Sequence, residues 1–158
     1  MRKKTFDSLD NKIIRLLRED GRLSAGDMAK RLHVTAPTVR SRLKNLEEAG
    51  LFKICGLIDP DQQREITTAL VAMSVRSHGR MDQILKKIAD LDSVVWAAVV
   101  SGRYDIIAEV VCKGGTAELY RFTTETILRM ADVVRSETFV VMKSKNNWIT
   151  VPRGLGDI

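Results

Sequence analysis

The chain has 158 residues, 44% of them apolar, enough for one ordinary domain or two small ones with a buried core, and too apolar for a disordered chain. No apolar run reaches the roughly 18–20 residues that span a bilayer, and the basic start Met1–Lys4 has no apolar signal core behind it, so a cytoplasmic protein without membrane contact is expected. The net charge of +6 is uneven: residues 1–60 hold 13 Lys and Arg against 8 Asp and Glu, whereas residues 61–158 hold 13 against 12. The excess in the first third points to a polyanionic partner there, although a solvated basic face would give the same count.

Leu9, Ile13, Leu16 and Leu17 form one stripe at helical spacing and predict a helix over Ser8–Asp20, ended by Gly21. Ser24 is placed to cap a second helix, with Asp27 three residues on and Ala25, Met28, Ala29 and Leu32 inward. His33-Val34 breaks the pattern. Thr35 then offers a cap and Pro37 a first turn for a third helix, with Val39, Leu43 and Leu46 inward and Gly50 at its end. Three short helices with a brief turn between the second and third outline a helix-turn-helix. Phe52–Leu57 reads as a short strand, and Asp59-Pro60-Asp61 as a turn at a domain boundary.

Beyond the boundary, strands are predicted at Ala69–Val75, Val94–Ser101, Ile106–Cys112 and Glu137–Lys143. Helices are predicted at Met81–Leu91 and Thr116–Met130, and Gly102–Asp105 is the turn between the middle strands. Strand, helix, strand, strand, helix, strand is the ferredoxin-like plan. The fold class is therefore α+β: an N-terminal winged-type helix-turn-helix followed by a ferredoxin-like βαββαβ domain. The divisions are 1–50 for the helix-turn-helix domain, 51–65 for a linker strand and turn, 66–146 for the second domain and 147–158 for a C-terminal tail. Cys55 and Cys112 sit in apolar, strand-like surroundings, and both are expected as buried free thiols.

A recognition helix presents polar side chains at its N-terminal end to the major groove of double-stranded DNA. With Val39, Leu43 and Leu46 inward, the opposite side of the third helix holds Pro37, Ser41, Lys44 and Asn45. Thr38 and Arg40 flank them, and Arg42 lies nearer the edge of the apolar stripe. Thr35, Pro37, Thr38, Arg40, Ser41, Arg42, Lys44 and Asn45 are the candidate DNA-binding residues. Arg2, Lys3 and Lys4 form either an arm that reaches the duplex or a basic tail. In the second domain two helices cover one face of a four-stranded sheet. Val71, Met73 and Val75, or their alternates, with Val99 and Val110, are expected to leave an apolar patch and drive assembly.

Leu9-Asp10, Ile13–Leu17, Asp20-Gly21-Arg22, Met28-Ala29 and Thr35–Leu46 resemble the DNA-binding half of the leucine-responsive regulatory protein and asparagine-operon regulator (Lrp/AsnC) family. The second half resembles that family's effector-binding and oligomerisation domain, including the Gly-x-Tyr-Asp turn at Gly102–Asp105, so the likeness runs from about Asp7 to Lys143. The resemblance implies DNA-binding dimers that associate into tetramers, octamers or other even-numbered assemblies. It also implies small effectors, often amino acids, held between dimers near Ser101, Gly102, Arg103, Tyr104 and Asp105, and no cofactor. Arg103 stands where amino-acid-binding members often have Asp or Asn. It leaves room for an acidic ligand, for no ligand, or for an arginine that pairs with Glu109 or Glu137 of a neighbouring subunit. Sirohaem decarboxylases share the two-domain plan, but the histidines here, His33 and His78, lie away from the turn, and no acid–base pair is in sight, so catalysis is not expected. A DNA organiser without effector control would have much the same sequence.

Overall fold

Asp7 starts the first helix with a reciprocal cap. Its carboxylate accepts the Leu9 and Asp10 amides, each at 2.8 Å, and the Asp10 carboxylate accepts the Asp7 amide at 3.2 Å. In the computed structural model, which describes residues 5–76 and 78–155, α1 runs Ser8–Glu19, α2 Ala25–Leu32 and α3 Ala36–Glu48. The arm residues Arg2, Lys3 and Lys4 lie outside the described residues, as does the side chain of His78.

Gly21 does not terminate α1 through a left-handed cap. Asp20 leaves the helix in an extended conformation, and its carboxylate takes the Arg22 amide at 3.0 Å. At α2 the Ser24 hydroxyl accepts the Asp27 amide at 3.1 Å. Asp27 accepts the hydroxyl itself at 2.6 Å. His33 then turns the chain in the left-handed region (φ 54°). Thr35 caps α3, accepting the Thr38 amide at 3.4 Å. Gly50, at φ +64°, ends it: the Gly50 amide meets the Glu47 carbonyl at 2.9 Å and the Leu51 amide the Leu46 carbonyl at 3.0 Å. Ile13, Leu17, Met28, Ala29 and Val39 are the core of this unit, with Leu9, Leu16, Leu32, Leu43 and Phe52 around them.

No strand forms over Phe52–Leu57. Among the described residues it has no strand to pair with, and Ile54, Cys55 and Leu57 are exposed. Cys55 is therefore not the buried thiol expected of it, whereas Cys112 is, and burial pushes the Cys112 thiol pKa up. The chain divides into two compact units between Cys55 and Gly56.

The second unit contains β1 (Ile66–Val75), α4 (Met81–Ala89), β2 (Val94–Val99), β3 (Ile106–Lys113), α5 (Gly115–Arg121) and β4 (Val133–Val140). The sheet is antiparallel throughout, in the order β2-β3-β1-β4, as the ferredoxin-like plan requires. Val71, Met73, Val75, Ile106, Ala108 and Val110 point to one face and pack with Ile84 and Ile88 of α4 and Leu119, Phe122 and Ile127 of the α5 region. Val71, Met73, Val75 and Val110 are thus core, and the open patch is made by their alternates.

Two expected elements differ. The helix over Thr116–Met130 is not uniform: α5 continues into a π-helical stretch, Phe122–Ile127. There the Thr123 hydroxyl donates to the Leu119 and Tyr120 carbonyls at 3.0 and 2.9 Å, and the Thr124 hydroxyl to the Tyr120 carbonyl at 2.8 Å. These hydroxyls compete with backbone donors for the same carbonyls and loosen the regular ladder. The last strand lies earlier than Glu137–Lys143, because pairing with β1 starts at Val75↔Val133 and closes at Ala69↔Val140.

The open face carries an in-register row, Trp96–Glu109–Leu70–Phe139, across all four strands. The segment read as a C-terminal tail folds back over one end of this face. Ile149 and Leu155 are buried against Val111, with Ile58, Ile66 and Val95 beside them, and Ile58 and Ile149 exchange backbone hydrogen bonds at 2.9 and 3.0 Å. The Gly154 amide meets the Asp92 carbonyl at 2.9 Å. A Cβ on Gly154 would stand 3.0 Å from the Asp92 Cβ and 3.2 Å from its carbonyl carbon and oxygen. Gly154→Ala is therefore expected to lower stability by on the order of 1 kcal/mol or more, read as an earlier urea midpoint. An unchanged midpoint would mean that this segment is not held against Asp92.

Candidate DNA-binding and effector sites

Two opposed faces give α3 its character. Val39 and Leu46 are buried and Leu43 half-buried, so the helix is seated on α1 and α2 by one stripe. The other face exposes Pro37, Arg40, Ser41, Lys44 and Asn45. Thr35 is exposed at the N-terminal end, and its hydroxyl lies 2.8 Å from that of half-buried Thr38. Lys44 reaches Glu48 at 3.7 Å, one helical turn on, with both side chains largely in solvent. Such a pair contributes little and is readily exchanged for another anion.

Arg42 is placed differently from the other candidates. Its guanidinium donates to Asp7 and, at 3.3 Å, to Asp10, the two carboxylates that cap α1. The Asp10 amide, followed by the Arg42 guanidinium, holds the Asp7 carboxyl below its ordinary pKa, and Asp7 raises that of Arg42. The structure thus brings seven of the eight DNA-binding candidates to the exposed face or N-terminal end of α3 and turns Arg42 toward α1. The signal was available: Asp7 and Asp10 stand at capping-box spacing, and Arg42 borders the buried stripe.

At the other candidate site, Gly102 adopts φ +139°, which favours glycine in the turn between β2 and β3. Asp105 anchors that turn to β1: its amide donates to the Met73 carbonyl at 2.9 Å, and its carboxylate accepts the Val75 amide at 2.9 Å. Its carbonyl accepts the Val100 amide at 3.0 Å. Ser101, Gly102 and Arg103 are exposed and Tyr104 is half-buried. The guanidinium carbons of Arg103 and Arg135 lie 5.7 and 5.9 Å from the centre of the Tyr104 ring, within cation–π range. Arg135 also approaches Glu137 at 3.9 Å. Glu109 accepts the Trp96 indole N–H at 2.7 Å and lies 3.5 Å from the Asn147 amide, and among the described residues neither Glu109 nor Glu137 pairs with Arg103. Sequence spacing gave no hint of Arg135, because only the β1–β4 pairing brings it to the turn.

A three-helix unit that offers a polar, basic helix, followed in the same chain by a ferredoxin-like domain with an open sheet face, defines a DNA-binding regulator with a separate sensing or assembly domain. Comparison with known proteins agrees. Residues 6–53 match the winged helix-turn-helix DNA-binding model and residues 68–147 the Lrp/AsnC ligand-binding domain. An uncharacterized HTH-type transcriptional regulator of Pyrococcus horikoshii is 30% identical over 145 residues, 91% of this chain and 90% of that one. Regulatory protein AsnC of Haemophilus influenzae is 27% identical over 140 residues, 88% of this chain and 93% of the relative. The crystal structure of a transcriptional regulator–L-Met complex from Neisseria meningitidis shares the fold, with a TM-score of 0.73 at 23% identity, covering 94% of this chain and 97% of that one. The chain belongs to the Lrp/AsnC family and is a DNA-binding transcription regulator of that type. Among the described residues, no helix is long and apolar enough to cross a membrane.

The Asp7–Arg42 contact predicts an acid-sensitive first unit. A carboxylate whose pKa is lowered by folding adds stability that is fully present above its unfolded value, near 3.8, and is lost as pH falls through the lower folded value. Asp7→Asn keeps a capping side chain but removes the charge. The variant is expected to melt earlier at pH 7 and to lose less stability than wild type between pH 5 and acid. Parallel pH profiles would show that the contact contributes nothing.

Proposed function

We propose that the protein binds double-stranded DNA through the exposed face of α3, as a homo-oligomer assembled on the open sheet face, with a small-molecule effector at the Ser101–Asp105 turn. The observation that carries the reading is the composition of that α3 face: Pro37, Arg40, Ser41, Lys44 and Asn45 are exposed opposite the apolar stripe, with Thr35 and Thr38 at the N-terminal end. Hydroxyl, amide and cationic groups of this kind suit phosphates and base edges. Arg42 acts as a positioning residue that fixes α3 against α1. Action on DNA supports a cytoplasmic location.

Assembly follows from the uncovered side of the sheet. Trp96, Leu70 and Phe139 are 44%, 36% and 50% exposed in one row; Val99, expected in the same patch, pairs with Ile106 and shares that residue's face instead. Contiguous apolar surface of this kind marks an interface, and a second copy of the same face is self-complementary. The effector reading rests on the match to a ligand-binding domain and on a relative of the same fold described as an L-Met complex.

Arg40→Ala and Lys44→Ala are each expected to weaken binding to a cognate duplex while leaving the melting temperature unchanged. Each should make the plot of log affinity against log salt shallower by about 1 for a lost phosphate contact. Unchanged affinity and slope in both variants would remove α3 from the recognition role. For assembly, Phe139→Asp in the full chain is expected to convert a dimer or larger species into a monomer in sedimentation at micromolar concentration. Wild-type protein that sediments as a monomer would refute the interface.

A further inference from the structure

The geometry points to an acidic effector: a small dicarboxylate, held by Arg103 from the turn and Arg135 from β4, both beside the Tyr104 ring. This inference rests on the reading of the Ser101–Asp105 turn as the effector site, and it names the ligand class and one residue, Arg135, that the turn itself does not contain.

The charges are arranged for it. Both guanidinium carbons lie within 6 Å of one ring centre, so they are no further apart than the sum of 5.7 and 5.9 Å. Among the described residues Arg103 has no carboxylate within ion-pair distance, and it is exposed. Arg135 has Glu137, but at 3.9 Å, beyond hydrogen-bond length and in solvent-exposed surroundings. Asp105, the nearest acidic neighbour in sequence, has its carboxylate turned to the Val75 amide. Two fork-shaped donor sets therefore stand together with few acceptors between them.

A ligand rich in acceptor oxygens satisfies these donors. A carboxylate meets a guanidinium through two parallel N–H···O bonds, and a diacid with a short carbon chain presents one carboxylate to each arginine. A neutral amino acid presents one carboxylate only, and its ammonium group would face the two cations. Cation–π attraction to the Tyr104 ring holds both heads near one another before the ligand arrives.

Isothermal titration calorimetry of the full-length protein tests this with succinate, glutarate and L-glutamate, against L-leucine and L-methionine. The diacids are expected to bind at least tenfold more tightly than the neutral amino acids. Arg103→Ala and Arg135→Ala should each weaken them at least tenfold with an unchanged circular dichroism spectrum. Arg103→Lys should recover only part of the loss, because a lysine keeps the charge without the fork. Equal binding of L-glutamate, succinate and glutarate supports the inference; binding of L-glutamate but not of succinate or glutarate would make the ammonium group a requirement and would overturn it. Tighter binding of leucine or methionine than of any diacid would overturn the inference and leave the effector site standing. So would diacid binding that survives both alanine variants. No binding of any of the five would overturn the inference together with the effector reading.

Discussion

A four-stranded sheet has two faces, and among the described residues of the second unit helices cover only one. The alternation along β1 and β3 sends Val71, Met73, Val75, Ile106, Ala108 and Val110 under α4 and α5, and necessarily sends Leu70 and Glu109 to the other side. Cross-strand register then aligns Trp96 and Phe139 with them. The chain covers part of the remaining face with its own C-terminal segment, where Ile149 and Leu155 close over Val111. The rest stays in water. A fully covered aromatic side chain buries about 150–250 Å²; roughly half of that remains at Trp96 and Phe139, 44% and 50% exposed, and at about 25 cal/mol per Å² covering it favours association. The 7% exposure of Glu109 fits the same economy: its carboxylate is kept on the open face by the Trp96 indole N–H, which leaves the indole ring itself available for contact.

The first unit meets a different constraint. Its core is small, and the orientation of α3 depends on ends rather than on area. Reciprocal capping at Asp7, hydroxyl caps at Ser24 and Thr35, the left-handed His33 and the Gly50 terminator define where each helix begins and stops. Arg42 ties α3 to the capped start of α1 through the same carboxylates that form the cap. A cation of the basic helix is thereby committed to architecture, while Arg40 remains on the solvent side and Lys44 is held by an exposed intrahelical pair.

Much of this was legible in the residues, because it depends on local spacing. Thr35 and Pro37 announce α3, Gly50 its end, and the stripes of Ile13, Met28 and Val39 the first core. The ferredoxin-like order follows from counting periodic segments. Features that depend on tertiary partners were not legible. The strand expected over Phe52–Leu57 lacks a partner. The start of β4 is set by the β1 edge at Val75, not by its own alternation, which Arg135 and Ser136 interrupt. The π-helical stretch needs Thr123 and Thr124 to bond backwards, and nothing in the apolar pattern of Leu119, Phe122 and Ile127 signals that. Arg135 reaches Tyr104 only because β4 and the β2–β3 turn converge at one end of β1. Likewise Val71 and Leu70 are both plausible patch residues until the register decides which of them faces the helices.

The central claim, that the open sheet face is covered by a second copy in the working protein, can be read from one side chain. Trp96 and Trp148 are the chain's two tryptophans, and Trp148→Phe leaves Trp96 as the sole indole reporter. At micromolar concentration the account predicts a blue-shifted Trp96 emission protected from acrylamide, which moves to the red and becomes quenchable as dilution separates the copies. An emission that is solvent-exposed at all concentrations, with quenching independent of dilution, would contradict it.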